Sequence, residues 1–336
     1  MHNAMRVREG PVTSTGSPPH SRWSLCAQGH SILSQYQASY PAILDIATSL
    51  SLNKLFGTIF HFCSVQSEWF LNNLIPLEVP QMPYVSNQNI RIYYTVDGQG
   101  PPLVLQHGSA GSGKDWYQFG YADALKHDYQ LILIDIRGRG ASDKPHDSAA
   151  YTLSHHVTDI VAVLNDLHIR QAHFLGYSLG GWIGFGMAKY AAERVGVLLI
   201  GGAHPYARSA DLLAQVDATD PEAFLAAYEA RLGERFTPEQ KARMLANDLQ
   251  ALQASSHARP SVEEVLPTMT MPCLLYVGEA DARAPRVEEC TKLMPHVTFV
   301  SLPRLNHAQA YMHSELVLPH ILTFLHSVGE RIQTVA

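Results

Sequence analysis

One stretch of the chain reads as chemistry before any other: Gly176-Tyr177-Ser178-Leu179-Gly180, followed by Gly181. Strand-like sequence precedes it, from Ala172 to Leu175, and a helix-like segment follows from Trp182 through Ala192. A serine between glycines at a strand-to-helix turn is a nucleophile elbow. The turn forces the serine into strained backbone, and side chains at 176 and 180 would collide with neighbouring backbone. Its hydroxyl then stands above the carboxyl edge of a sheet, so Ser178 is expected to be a nucleophile. A bare G-x-S-x-G also occurs in ordinary glycine-rich turns. The strand and helix on either side are what make this one specific.

A serine nucleophile needs a base, and the base needs an orienting acid. With such an elbow, the expected chain order is Ser, then Asp or Glu, then His. Asp281 lies just past the apolar run Leu274–Val277, in Gly278-Glu279-Ala280-Asp281. His307 lies just past Phe299–Leu302, in Leu305-Asn306-His307-Ala308. Both therefore arrive at the same sheet edge as Ser178. Glu279 is the nearest competitor for the acid. His313, His320 and His326 compete for the base, but they sit in the closing helical segment instead of at a strand end. The oxyanion of an acyl transfer needs two backbone N–H donors. One is expected from Leu179 at the head of the helix, and the other from Ser109 after His107-Gly108. Gly108 to Gly113 followed by Lys114 superficially matches a phosphate-binding loop, but Asp115 replaces the Ser or Thr which that motif requires.

These groups need a scaffold, and the rest of the chain supplies its pattern. Tyr84–Ser86 and Ile90–Val96 alternate like a hairpin around Asn87-Gln88-Asn89. Leu103–Gln106, Leu131–Ile134, Val195–Ile200 and Pro272–Gly278 are short apolar runs, as expected of parallel strands covered on both faces. Helices are expected over Asp115–Lys126, 154–167, Val287–Met294 and Tyr311 to about Arg331. Alternating strands and helices predict an α/β fold, a mostly parallel central sheet with helices on both faces. Residues 205–267 interrupt the alternation with two helical patterns, around Glu222–Leu232 and Pro238–Leu252. An insertion after a strand's carboxyl end lies over the ligand-binding edge of such a sheet, so a small helical lid is expected there. The core is then 82–204 with 268–336. His107, Trp116, Tyr177, Trp182 and His204 fall nearest the expected rim and are candidates for the substrate pocket.

Residues 1–81 read differently. The first 35 are rich in Ser, Pro, Gly and His without a period, which predicts disorder or poor packing. Leu55–Ser67 is the longest uncharged run in 41–77, short of the ~20 residues a membrane span needs. A secretory signal is not expected, because Arg6 and Arg8 lead into polar sequence. The stretch is acid-poor and serine-rich, as transit peptides are, but the plainer expectation is that the protein proper begins at Met82. The 336-residue chain carries a formal charge of -6, which offers no basic footprint for nucleic acid. Its four cysteines, Cys26, Cys63, Cys273 and Cys290, are scattered. That usage argues against a disulfide framework and for a reducing, cytoplasmic location. The 18 histidines form no metal pattern such as H-E-x-x-H. Nothing in the sequence speaks to oligomeric state.

Taken together, His107-Gly108, Asp135 to Pro145, Gly176–Gly181, Gly278–Asp281 and Asn306-His307 resemble the α/β-hydrolase family, over Tyr84 to about Arg331. Members usually carry His where this chain has Arg139, and Gly where it has Asn306. Serine at 178 sets aside the relatives with an aspartate nucleophile, the haloalkane dehalogenases and epoxide hydrolases. The resemblance implies cofactor-free hydrolysis of a small-molecule substrate through an acyl-enzyme, first of all of small esters or lactones. It also admits carbon–carbon bond hydrolysis of a diketone, a perhydrolase, or a receptor that keeps the pocket without turnover.

Overall fold

The computed structural model describes residues 83–335 apart from Asp211 and Glu234, with side chains described as far as 329. The expected extension over 1–81 lies outside the described residues. Strands β1 (Tyr84–Asn87), β2 (Ile90–Asp97), β3 (Pro102–Gln106), β4 (Gln130–Ile134), β5 (Ala172–Tyr177), β6 (Val195–Gly201), β7 (Cys273–Gly278) and β8 (Val297–Leu302) form an 8-stranded sheet in the order β1-β2-β4-β3-β5-β6-β7-β8. β1 and β2 run antiparallel to their neighbours, and the remaining pairings are parallel. The predicted hairpin closes through Gln88 and Asn89, both at positive φ (52° and 64°). Two such residues make the turn whose twist matches that of the strands it joins.

Side chains alternate across the sheet, as the two-residue period of a strand requires. Val104, Ile132, Phe174 and Leu198 point into one buried layer with α3 (Leu153–Asp166) and α4 (Leu179–Tyr190). Leu105, Leu133, Leu175 and Leu199 point into the other, against α1 (Lys114–Gln118), α2 (Tyr121–Leu125) and the closing helix. Both faces are thus covered, which is why these strands are continuous apolar runs.

Three of the expected helices are broken. The one anticipated over Asp115–Lys126 is α1 and α2, parted at Gly120, whose φ of 79° no helix accommodates. Within 205–267, α5 (Pro221–Leu232) matches its pattern, but the second pattern divides into α6 (Pro238–Leu245) and α7 (Leu249–Ala254). Asp248 makes that break, because its carboxylate accepts the Ala251 N–H as an N-cap. After α8 (Ala284–Thr291), the closing helix is α9 (Gln309–Met312) and α10 (Ser314–Val335), separated by His313. Among the described residues, no helix is long and apolar enough to cross a membrane.

Candidate active site

Ser178 sits between β5 and α4 at φ 55° and ψ −107°, strained backbone for a residue with a side chain. Its neighbours have no room for one. A Cβ on Gly176 would lie 2.3 Å from the Gly180 carbonyl oxygen, and one on Gly180 would lie 2.0 Å from that of Gln106. The Ser178 N–H donates to Gly201 O (2.8 Å) and the Gly180 N–H to His107 O (3.1 Å), which pins the turn between β3 and β6.

The loops after β7 and β8 converge on this serine. The Ser178 hydroxyl lies 2.9 Å from His307 Nε2, and His307 Nδ1 lies 2.6 Å from Asp281 Oδ2. The second carboxylate oxygen of Asp281 accepts from Arg283 N–H (3.0 Å) and Arg283 Nη1 (2.9 Å). Burial acts to raise the Asp281 pKa, but the hydrogen bond and charge of His307, with Arg283, outweigh it and bring it to about 2. Burial and the Arg283 charge hold His307 below the usual imidazole range, against the pull of Asp281. At neutral pH the pair is therefore carboxylate and neutral imidazole, with Nδ1–H donating to Asp281 and Nε2 open to the serine proton. Glu279 is exposed and faces Ser301 and the Arg304 N–H at 3.4 Å each, away from the imidazole. His313, His320 and His326 are exposed in or beside α10.

The two residues expected to supply oxyanion donors lie near Ser178, Leu179 next to it in the chain and Ser109 in the loop after β3. A Cβ on Gly108 would come within 3.6 Å of Ser178 Cβ, so the loop carrying Ser109 runs against Ser178. Neither the Ser109 nor the Leu179 N–H makes a hydrogen bond among the described residues. The Ser109 loop is held from three directions. The Ser109 hydroxyl pairs with Tyr228 Oη of α5 (2.6 Å), its carbonyl accepts from Arg139 Nε, and Asn247 Nδ2 donates to Ala110 O (3.2 Å).

Arg139 is a residue whose part the sequence did not disclose. It is buried, and its guanidinium also donates to Gly138 O (2.8 Å) and to Ser255 Oγ (2.5 Å) beyond α7. Burial lowers its pKa to about 10, which leaves it charged at neutral pH. It thereby ties the Ser109 loop to the insertion. The signal was the departure from the family pattern at this position.

Two cavities open on Ser178. The first, of ≈ 140 Å³, is lined mainly by apolar groups, including Tyr177, Phe236, Met244 and Met312, together with Ser109 and His307. The second, of ≈ 50 Å³, lies on the side of Trp182 and His204. Of the candidate pocket residues, Tyr177 lines the first cavity, stacks on Tyr311 at 4.5 Å and donates to the His307 carbonyl (2.5 Å). The other two candidates are corrected. His107 is fully buried beneath the loop, where its Nδ1 donates to Gly108 O (2.7 Å) and its Nε2 accepts from the Ile136 N–H (3.1 Å). Trp116 is fully buried edge-on to Tyr121 and Tyr311 (5.1 and 5.2 Å). Neither reaches a cavity on Ser178, because each faces the core side of its element. Asp115, at the phosphate-loop look-alike, is likewise buried, paired with Arg243 Nη2 at 3.1 Å.

The alpha/beta hydrolase fold description matches residues 101–274, more than half of the chain. The chain belongs to the α/β-hydrolase family. Within that family it is similar to the cis-3-alkyl-4-alkyloxetan-2-one decarboxylase of Shewanella oneidensis, 33% identical over 132 residues, which span 39% of this chain and 40% of the decarboxylase. An esterase from Rhodococcus sp. superposes with a TM-score of 0.63 at 26% identity, over 73% of this chain and 98% of the esterase. The enol-lactonase of Burkholderia xenovorans superposes with a TM-score of 0.64 over 73% of this chain and 100% of its own, at 20% identity, a likeness of fold. Among the described residues of this α/β hydrolase, no group of three or more His, Cys, Asp or Glu is placed to hold a metal ion.

Proposed function

We propose that this protein is a serine hydrolase of small esters or lactones that works through an acyl-enzyme. The supporting observation is the hydrogen-bonded line from Ser178 Oγ to His307 Nε2 (2.9 Å) and from His307 Nδ1 to Asp281 (2.6 Å). Its similarity to an esterase supports the same reading. In this mechanism His307 takes the Ser178 proton as the oxygen attacks the substrate carbonyl. The N–H groups of Leu179 and Ser109 receive the oxyanion, each such donor typically lowering the barrier by about 2.7–4 kcal/mol. Collapse of the intermediate breaks the ester bond, and His307 returns the proton to the leaving oxygen. Water then repeats the sequence on the acyl group and frees Ser178. Asp281 holds the imidazole in the tautomer that can accept.

Residues 205–267 act as the lid in this reading, with α5 and α6 walling the apolar cavity. The cavity volume favours short acyl groups over long chains. The test is covalent labelling by a fluorophosphonate together with steady turnover of p-nitrophenyl acetate and butyrate. Ser178→Ala is expected to lose both while keeping the wild-type melting temperature. Labelling of the alanine variant at the wild-type rate would remove Ser178 from the role, and a single slow turnover by the wild type would favour a receptor.

A further inference from the structure

Residues 108–113 are all Gly, Ser or Ala, so the loop that carries Ser109 has no large side chain of its own to bury. Its ends are fixed without the insertion. The Gly111 N–H donates to Gly108 O (3.2 Å), and the Gly113 N–H donates to Asp135 Oδ1 (2.6 Å). Between those ends the hydrogen bonds of Ser109 and Ala110, among the described residues, all lead to the insertion. Tyr228 of α5 meets Ser109 Oγ, and Asn247, between α6 and α7, donates to Ala110 O. Arg139, on Ser109 O, is itself tied to Ser255. Ala110 also packs on the apolar cluster of the insertion.

Tyr228 is firmly placed for this contact. It is buried, its ring faces Phe236 at 5.9 Å, and the Arg231 guanidinium lies over that ring at 5.3 Å. Its hydroxyl pairs with Ser109 Oγ at 2.6 Å, and both residues line the apolar cavity together with Ser178 and His307. A rigid aromatic on the insertion thus ends on the one side chain through which the residue at 109 can be held.

We infer that Tyr228 is a positioning residue: through the Ser109 hydroxyl it sets the Ser109 N–H, so that the insertion completes the oxyanion hole as well as walling the pocket. The inference rests on the reading of Ser178 as the attacking group and of the Ser109 N–H as an oxyanion donor. Such a donor acts only if it is already aimed at the place where negative charge develops. A loop of small residues does not hold that aim by its own packing, and small displacements in an active site have large effects on rate. Acylation and deacylation both pass through an oxyanion, so a misaimed donor slows both steps. Because the interaction is made in the transition state and not with bound ester, kcat and kcat/KM fall together.

The test is a double-mutant cycle on the hydroxyl pair. Tyr228→Phe keeps the ring and removes its oxygen; Ser109→Ala keeps the N–H and removes the partner. Losing an oxyanion donor outright costs a factor of about 10²–10³ in kcat, and misaiming one costs less. Each single variant is therefore expected to lose about tenfold in kcat and kcat/KM on p-nitrophenyl butyrate, with KM within about twofold of wild type. The double variant is expected to be no worse than either single one, because the two hydroxyls act as a unit. A second readout follows the oxyanion itself. In 1,1,1-trifluoropentan-2-one, Ser178 Oγ adds to the carbonyl carbon, its proton passes to His307, and the carbonyl oxygen becomes the oxyanion. The inhibition constant of this ketone is expected to rise by the same factor in each variant. Gly233→Ala, at the end of the same helix with nothing within 4 Å of its added Cβ, is the control and is expected to change neither readout. Active wild type with unchanged rates and ketone affinity in both single variants would overturn the role of Tyr228 and leave the hydrolase reading intact. So would losses that multiply in the double variant, or a raised KM at wild-type kcat, which marks a pocket wall only. A wild-type protein with neither turnover nor ketone adduct would remove the hydrolase reading and this inference together.

Discussion

At the carboxyl edge of the sheet, backbone packs on backbone; across 205–267, helices meet through side chains. The elbow leaves no space even for a methyl group beside the Gln106 and Gly180 carbonyls. The insertion instead gathers Leu213, Phe224, Tyr228, Met244 and Leu252 into a small cluster of its own. Its helices start at local caps, with Asp220 accepting from Glu222 and Ala223 N–H and Thr237 forming a reciprocal capping box with Gln240. The difference teaches where each kind of information resides. Interlocked backbone fixes the turn around Ser178 and leaves no room for an added side chain. A capped helical layer can vary its side chains while keeping its shape, so substrate choice is free to reside there. Arg139 joins the two regions, since one guanidinium holds both Ser109 O and Ser255 Oγ.

The largest effect is expected at the edge itself. Asp281→Asn should lower kcat by about 10⁴, because the amide favours the wrong imidazole tautomer, while Glu279→Gln leaves turnover near wild type. Near-normal rates in Asp281→Asn with collapse in Glu279→Gln would transfer the acid role to Glu279. Gly180→Ala comes next. Its methyl meets backbone rather than a flexible side chain, so a stability loss of about 3 kcal/mol is expected, at the upper end for overpacking. Unchanged denaturant midpoints would show that the elbow can relax.

The same substitution in the insertion measures the contrast. Gly233 closes α5 at φ 71° with nothing within 4 Å of an added Cβ. Gly233→Ala should therefore cost only the left-handed backbone penalty, about 1–2 kcal/mol, with kcat/KM unaffected. A loss as large as that of Gly180→Ala would erase the distinction between the two regions.

The smallest effect is one of pH. His307 has its folded pKa below the ordinary 6.5, and the imidazole must be neutral to accept the serine proton. Falling pH removes activity only as it passes through the folded value, so kcat/KM should change less than about twofold between pH 8 and pH 6.5 and decline below that. The sign for stability is the same. The folded state binds its proton at lower pH than the unfolded chain does, so this histidine's contribution is full above about pH 6.5 and is lost as the pH falls. Half the activity gone by pH 6.5 would place His307 at or above its ordinary pKa.

Local rules made much of this molecule legible in its sequence. Two-residue alternation marked the hairpin, short apolar runs marked the buried parallel strands, and glycines around Ser178 marked the turn. A strand-end position drew Asp281 and His307 toward the same rim, because parallel strands deliver their carboxyl ends to one edge. Each of those inferences needs only near neighbours in the chain. The breaks at Gly120, Asp248 and His313 escaped because side-chain periodicity continues through a residue whose backbone turns aside. His107 and Trp116 were read as rim residues from their position after β3 and in α1, but which face a side chain takes was decided by packing against Ile136 and Tyr311. Most of all, nothing in the local sequence couples Arg139 to both Ser109 and Ser255. Those contacts exist only because the insertion meets the Ser109 loop, and a link made by long-range convergence has no period or spacing by which a sequence could announce it.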